Sequence, residues 1–478
     1  MKQALKKCLF GFFVVVGGFI ASVIAEPSQE SHRFSFSGEL EAFNKFGFYN
    51  GISPTDSYGY ILGTISGIYS HKFANDSTLR FELGGAGAGL AYDSTRRASQ
   101  AGDAGLAYNY VGYYAGYRGS RAATATNTHN FYIHNAHLAY NSERVSLKAG
   151  RFMHDDDNYV VGLMEGADLR ADFAKFDKGG IYGRVEGVSA FALLGDGFFW
   201  DFTQAYAPNG LLGAQFGGYV AFGEASKFDI NAFYYYGISE YSAPGVDMKL
   251  DFERARQEGE DSSKKGFASS TRINAIFPIY DTLKMEVAPL LGNFLKNENG
   301  SNEGFTSSIL ARQDFRFYAG DKGEYLLGIA AYKNIGLSHA RVGLYGSPLG
   351  VNIWDNSVYG VGPSLNGIVY KDAISAFVFT KASYENLATF LQGLQAGLDF
   401  RYTTNTGSAK ALEEYSLKLS LDFTLTKNVA LSIIGNYYTS ILFDNNALNV
   451  GFGGSGGEVS RGKSLDRSYV MTKISLSI

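Results

Sequence analysis

Tyr415-Ser416-Leu417-Lys418-Leu419-Ser420-Leu421-Asp422-Phe423-Thr424-Leu425 alternates apolar and polar residues along its whole length. A β-strand sends successive side chains to opposite faces, so this stretch has one greasy face and one wet face. The same period of two returns along the chain. Phe34, Phe36, Leu40 and Ala42 alternate with Ser35, Ser37, Glu39 and Glu41. Leu79, Phe81 and Leu83 flank Arg80 and Glu82, and Val145 and Leu147 flank Ser146. Phe228, Ile230, Ala232, Tyr234 and Tyr236 oppose Lys227, Asp229 and Asn231. Leu283, Met285 and Val287 oppose Lys284 and Glu286, and Leu394, Ala396, Leu398, Phe400 and Tyr402 oppose Asp399 and Arg401. Each run approaches the ~10 residues of a membrane-spanning strand.

Composition agrees with strands that meet lipid. Hydrophobic residues make up 45% of the 478 and the mean hydropathy is −0.09, which excludes several apolar runs of ~20 residues. Aromatics reach 15%, with 33 Tyr and 37 Phe against 2 Trp, too rich for a disordered chain. They suit strands and the aromatic girdles of membrane barrels. With 59 Gly and 8 Pro, the chain has the makings of bent, closely packed strands rather than of a Pro-rich linker.

The N-terminus is a targeting segment. Lys2, Lys6 and Lys7 precede an apolar core from Leu9 to Ile20, and Val23-Ile24-Ala25 places small residues at a cleavage site. Cleavage between Ala25 and Glu26 is expected, giving a signal peptide over 1–25 and one barrel domain over 26–478. Cys8, the only cysteine, lies inside this segment. The mature chain therefore carries no disulfide, thiol nucleophile or Cys-ligated metal. Cleavage removes three Lys and no acid, so 39 basic residues face 46 acidic ones, a net charge of −7. Nothing here suggests nucleic acid as a partner.

Connections come in two lengths. Asn141-Ser142-Glu143 and Leu425-Thr426-Lys427-Asn428-Val429 are short. Asp93 to Gly105, Gly116 to His129, Lys296 to Gly304 and Asp444 to Ser468 are long, polar and Gly-rich. Short periplasmic turns and long extracellular loops characterise an antiparallel transmembrane β-barrel. The charge-dense stretch from Asp247 to Lys265 reads as a solvated external loop, with room for a turn or two of helix. At roughly 25 residues per strand and connection the mature chain yields about 18 strands, within a range of 16 to 20. A barrel of 16 to 18 strands encloses an aqueous channel, whereas eight fill their own interior. The chain ends in alternation, with Val470, Thr472, Ile474, Leu476 and Ile478 on one face. This strand is expected to close the barrel against the first near Phe34.

The run Val145-Ser146-Leu147-Lys148-Ala149-Gly150-Arg151-Phe152 resembles the LxxGR strand of OprD-type porins and of the related Hof outer-membrane family of epsilonproteobacteria. An acidic stretch follows, His154-Asp155-Asp156-Asp157-Asn158, and then Glu165-Gly166-Ala167-Asp168-Leu169. The chain departs from the usual terminal signature of such barrels in ending on Ile478 rather than Phe. The resemblance implies an 18-stranded barrel passing small solutes. It also implies a loop after an early strand that folds inward, for which His154, Asp155, Asp156 and Asp157 are the candidates.

If the apolar rows face lipid, the opposite parity lines the lumen. This nominates Arg80, Glu82, Asp168, Arg170, Asp172, Arg184, Glu186, Arg272, Arg312, Asp314, Arg316, Asp399, Arg401, Lys418 and Asp422. Charged rings in a narrow lumen set ion preference, although polar interiors also serve simply to hold water. Catalytic and metal chemistry finds little footing. His134 and His137, three apart, fall on opposite faces of a strand. His154 beside three Asp could help hold a divalent cation, yet also reads as a solvated acidic loop. The one G-x-S-x-G match, Gly453-Gly454-Ser455-Gly456-Gly457, falls in a glycine-rich loop rather than on the strand-to-helix turn of a nucleophile elbow. The glycines from Gly84 to Gly89 are not followed by Lys-Ser/Thr. The run Gly451 to Gly457 leads into Gly457-Glu458-Val459-Ser460-Arg461-Gly462-Lys463-Ser464, which fits G-x-x-x-x-G-K-S/T in letters but lies in a loop between strands, without the strand-then-helix setting a phosphate loop needs.

These readings converge on an outer-membrane porin that admits small hydrophilic solutes by passive or mildly selective diffusion. It would need no cofactor and carry no enzyme activity. Its neighbours would be outer-membrane lipid, lipopolysaccharide and the barrel-assembly machinery, and it would stand as a monomer or homotrimer. The rival is an adhesin barrel acting through its extracellular loops.

Overall fold

A computed structural model describes residues 32–48, 57–94, 111–113, 129–154, 160, 162–203, 210–222, 226–239, 241–253, 265–280, 304–319, 323–336, 354–355, 364–365, 372–406, 412–442, 464–466 and 468–478. The cleavage site at Ala25 and Glu26, the 283–287 run and Asp155 to Asp157 lie outside them.

Eighteen long strands form one closed antiparallel barrel. They are β1 His32–Phe48, β2 Tyr58–Lys72, β3 Thr78–Asp93, β4 Phe131–Asn141, β5 Val145–His154, β6 Gly162–Phe176, β7 Gly179–Gly195, β8 Leu211–Phe222 and β9 Ser226–Gly237. The second half comprises β10 Tyr241–Glu253, β11 Lys265–Ile276, β12 Gly304–Ala319, β13 Gly323–Gly336, β14 Ala373–Ala388, β15 Leu391–Asn405, β16 Leu412–Thr426, β17 Val429–Leu442 and β18 Ser468–Ser477. Each pairs with its neighbours in sequence, and β18 closes on β1. No described helix is long and apolar enough to cross a membrane.

Strand β1 shows how the sequence meets the bilayer. Phe34, Phe36, Phe46 and Phe48 are all exposed on its outer face, whereas Glu41, Phe43 and Lys45 are buried on the inner one. Phe36 and Phe46 are ten residues apart, roughly 33 Å along a strand. Tilted by about 40°, that span rises about 25 Å, the height of the apolar band between two aromatic girdles. On β16, Leu417 and Leu419 are likewise exposed. Leu419→Arg near the midplane should therefore cost ~2–4 kcal/mol of folding stability, measured by urea titration in lipid vesicles. A cost near zero would mean that Leu419 does not face hydrocarbon.

Three expectations need correction. The closing register pairs Glu39 with Ser477 and Phe48 with Ser468, so β18 meets the upper part of β1 rather than Phe34. β18 has 10 residues against 17 in β1, and the overhang His32 to Ser37 pairs with β2 alone. Such stagger accompanies strand tilt in a closed barrel. The charged stretch from Asp247 begins inside β10, where Asp247, Lys249 and Asp251 lie in the ladder. The connection that follows leaves at the short-turn end, not among the long loops. Thirdly, His134 and His137 do not face opposite ways. Gly84 pairs with Asn135 and Gly85 with Ile133, so His134 is an extra residue in β4. A bulge of this kind shifts side-chain parity. Both histidines are buried, while Ile133 and Leu138 are exposed outside.

Candidate functional site

The inner face carries opposite charges in pairs. Arg80 Nη2 donates to Glu82 Oε2 at 2.7 Å, Arg184 Nε to Asp168 Oδ1 at 2.6 Å and Arg272 Nη2 to Asp247 Oδ2 at 2.8 Å. Arg312 Nε meets Asp314 Oδ1 at 2.9 Å, and Lys418 Nζ meets Asp399 Oδ2 at 2.8 Å. Arg170 and Asp172, and likewise Arg316 and Glu324, stand 3.8 Å apart. Asp422 sits in register between Gln395 and Ser432. The sequence candidates thus occupy the face opposite the exposed apolar rows, mostly as neutral couples rather than as rings of one sign. Short-range attraction along a strand and between neighbouring strands favours this, because an unpaired charge in a crowded interior keeps its desolvation cost.

A crease runs across three strands. Gly150 of β5 lies opposite Gly166 of β6, and Gly187 of β7 follows in the next row. Gly150 has φ +120°, which favours glycine. A Cβ there would lie 2.1 Å from the Ala136 carbonyl oxygen, and one on Gly166 would lie 2.0 Å from that of Gly187. The register also shifts between Glu165 and Gly166. Beyond the crease the hairpin of β5 and β6 bends into the lumen. His154 pairs with Gly162, six residues from the row of Asp168 and Glu186. A flat ladder would separate them by roughly 20 Å. Instead His154 Nε2 lies 2.8 Å from Glu186 Oε2 and 2.7 Å from Arg184 Nη2. His154 is therefore the last residue of a folded-in strand.

His154, Asp168 and Glu186 hold ligand atoms within 4.8 Å of one another. A nitrogen and two carboxylate oxygens could bind a divalent cation. Arg184 stands among them, bonded to both His154 and Asp168, and supplies the positive charge itself.

A second inward element was missed by strand periodicity. Phe198–Thr203 tucks beside the end of β7 and pairs in parallel with Val111–Tyr113. Phe199, Trp200 and Phe202 are at most 1% exposed. Phe199 and Phe202 join a core inside the barrel that includes Phe43, Tyr60, Leu62 and Tyr132. Polar clamps fix the segment. Tyr58 Oη donates to the Gly197 carbonyl at 2.7 Å, and the Gly197 amide donates to Tyr60 Oη at 3.2 Å. Tyr60 Oη in turn donates to Glu41 Oε1 at 2.5 Å. Lys473 of the closing strand bonds Asp196. The Arg151 guanidinium sits 4.3 Å over the Phe202 ring while its Nε donates to Glu165 at 2.8 Å, so the bent hairpin and the tucked segment support each other. Two signals for this were present in the sequence. Phe43 interrupts the polar row of Glu39, Glu41 and Lys45, and Phe198-Phe199-Trp200-Asp201-Phe202 breaks the alternation with four aromatics in five residues.

A closed barrel with an outward apolar band and an obstructed polar interior is an outer-membrane design. The family model described as "Putative outer membrane protein" matches residues 20–478. The chain belongs to that family. No curated protein sequence matches it. Among solved structures, the barrel resembles OccAB4 of Acinetobacter baumannii, at TM-score 0.56 and 12% identity over 95% of this chain and 100% of that one. OccAB1 of the same organism gives TM-score 0.57 at 9% identity, covering 95% and 98%. OpdK of Pseudomonas aeruginosa, solved with vanillate, gives 0.52 at 11% identity, covering 93% and 99%. At such identities the likeness establishes the fold. This family member is thus a barrel of the outer membrane that shares the fold of those Occ and OpdK structures.

Proposed function

We propose that the barrel is a passive, mildly selective channel for small hydrophilic solutes. The observation that supports this most is an eighteen-strand interior, wide enough for water, narrowed by the hairpin beyond Gly150 and by Phe198–Thr203. A solute would pass beside the tucked segment Phe198–Thr203 and paired charges such as Arg312 and Asp314. The acidic stretch Asp155 to Asp157 would extend the constriction beyond His154. The OpdK structure with vanillate makes a small aromatic acid a reasonable first solute to try. The Leu147-Lys148-Ala149-Gly150-Arg151 run supports a place beside the Hof and OprD-type porins. Signal cleavage after Ala25, insertion by the barrel-assembly machinery and contact of the outer face with lipopolysaccharide complete this reading. A channel is preferred to an adhesin because the inward elements shape the lumen.

Purified protein in a planar bilayer tests it. Stepwise conductance supports a channel, whereas a folded, heat-modifiable barrel that leaves the bilayer insulating refutes one. Because the wall charges are paired, removing one member unmasks the other. Arg312→Ala should move the reversal potential in a salt gradient toward cation preference, and Asp314→Ala toward anion preference. Identical potentials in both variants would remove this pair from the conduction path.

A further inference from the structure

We propose that His32 and His71 form a site for a divalent transition-metal ion of the zinc class at the periplasmic rim of the barrel. The two residues are direct register partners on β1 and β2, so the ladder holds their side chains on the same face. Their rings lie 4.3 Å apart between centroids, and Nδ1 of His71 is 3.1 Å from Nδ1 of His32. Two imidazole nitrogens at that separation share one proton. A metal ion can take its place. With Zn–N bonds of 2.0–2.1 Å, nitrogens 3.1 Å apart subtend roughly 100° at the metal, between the angles of square-planar and tetrahedral coordination.

The surroundings suit such an ion. The pair stands on the outward face two residues beyond Phe34, where β1 begins and β2 ends. Tyr69 Oη lies 2.7 Å from His32 Nδ1 and offers an oxygen beside the site. Phe73 packs edge-on to His71 at 4.4 Å between centroids and restrains that ring. Water fills the remaining coordination positions. No arginine or lysine bonds either ring among the described residues, in contrast to the His154 cluster with its resident Arg184. A bound ion would tie the overhanging start of β1, which β18 does not cover, to its one ladder partner.

The test uses untagged, refolded or membrane-extracted full barrel, stripped with chelator and titrated with zinc chloride by calorimetry. One equivalent should bind the parent protein. His32→Ala and His71→Ala should each weaken that binding by roughly tenfold or more, with His154→Ala unchanged. Zinc should also raise the thermal midpoint of the parent barrel and leave that of His71→Ala where it was. Heat-modifiable mobility on gels confirms that each variant is folded. Equal zinc affinity in the parent and His71→Ala overturns the proposal, as does an absence of saturable binding to the parent. Loss confined to His154→Ala assigns the metal to the lumenal cluster instead and equally overturns it. Channel conductance plays no part in these readings, so failure here is distinguishable from failure of the channel function.

Discussion

Phe199→Ala combined with Phe202→Ala should raise the unitary conductance about twofold or more, because current follows the open cross-section. Each ring is almost fully buried inside the barrel, Phe199 against Tyr132 at 4.7 Å between centroids and Phe202 beneath Arg151. Truncating a buried Phe removes roughly 3–5 kcal/mol of packing. The six-residue segment Phe198–Thr203 holds only a few ladder contacts, so two such losses should release it into the water-filled lumen. The eighteen-strand ladder does not depend on these rings, and heat-modifiability should persist. Unchanged single-channel current from a folded double variant would show that the tucked segment stands clear of the conducting path.

The second large effect concerns stability. Arg401→Ala should cost roughly 3–5 kcal/mol, read from the urea midpoint in vesicles. Arg401 Nη1 donates to Glu414 Oε2 and to Thr403 Oγ1, each at 3.0 Å, and Tyr438 Oη donates to Glu414 Oε1 at 2.8 Å. Thr403 also bonds Ser375, so the network joins β14, β15, β16 and β17. Glu414 is fully buried. Deprived of the guanidinium, its carboxylate keeps the desolvation cost without the compensating charge. Arg401→Met with Glu414→Leu should recover most of the loss, since replacing both partners leaves no stranded charge. A loss under about 1 kcal/mol for Arg401→Ala alone would show that water reaches Glu414 after all.

The barrel was legible because lipid enforces the pattern. Where one face meets hydrocarbon, as along Leu417 and Leu419 or Phe228 and Ile230, period two survives nearly intact. Closure of the last strand on the first followed from the same logic, though its register did not. The interior was less legible, since nothing there punishes either an apolar or a polar side chain in principle. The parity rule put Arg312, Asp314, Lys418 and Asp399 on one face. Arg312 and Asp314 couple along a single strand, whereas the pairing of Lys418 with Asp399 crosses strands and depends on register, which one sequence does not display. Parity failed outright at His134, where one inserted residue turned two histidines the same way. The Gly150-Arg151 dipeptide drew notice as a motif. Its physical role emerges only in three dimensions, where the glycine permits the bend and the arginine braces what has been bent.

That crease has a consequence for how the channel should sound to an electrode. The hairpin beyond Gly150 remains in the ladder, with His154 paired to Gly162 and Leu163 to Ala192. A hairpin held to the wall along its β7 edge, though β4 leaves it at Arg151, cannot flutter as a free flap does, because an excursion breaks several backbone bonds together. Once open, the pore should carry a quiet current with little flicker.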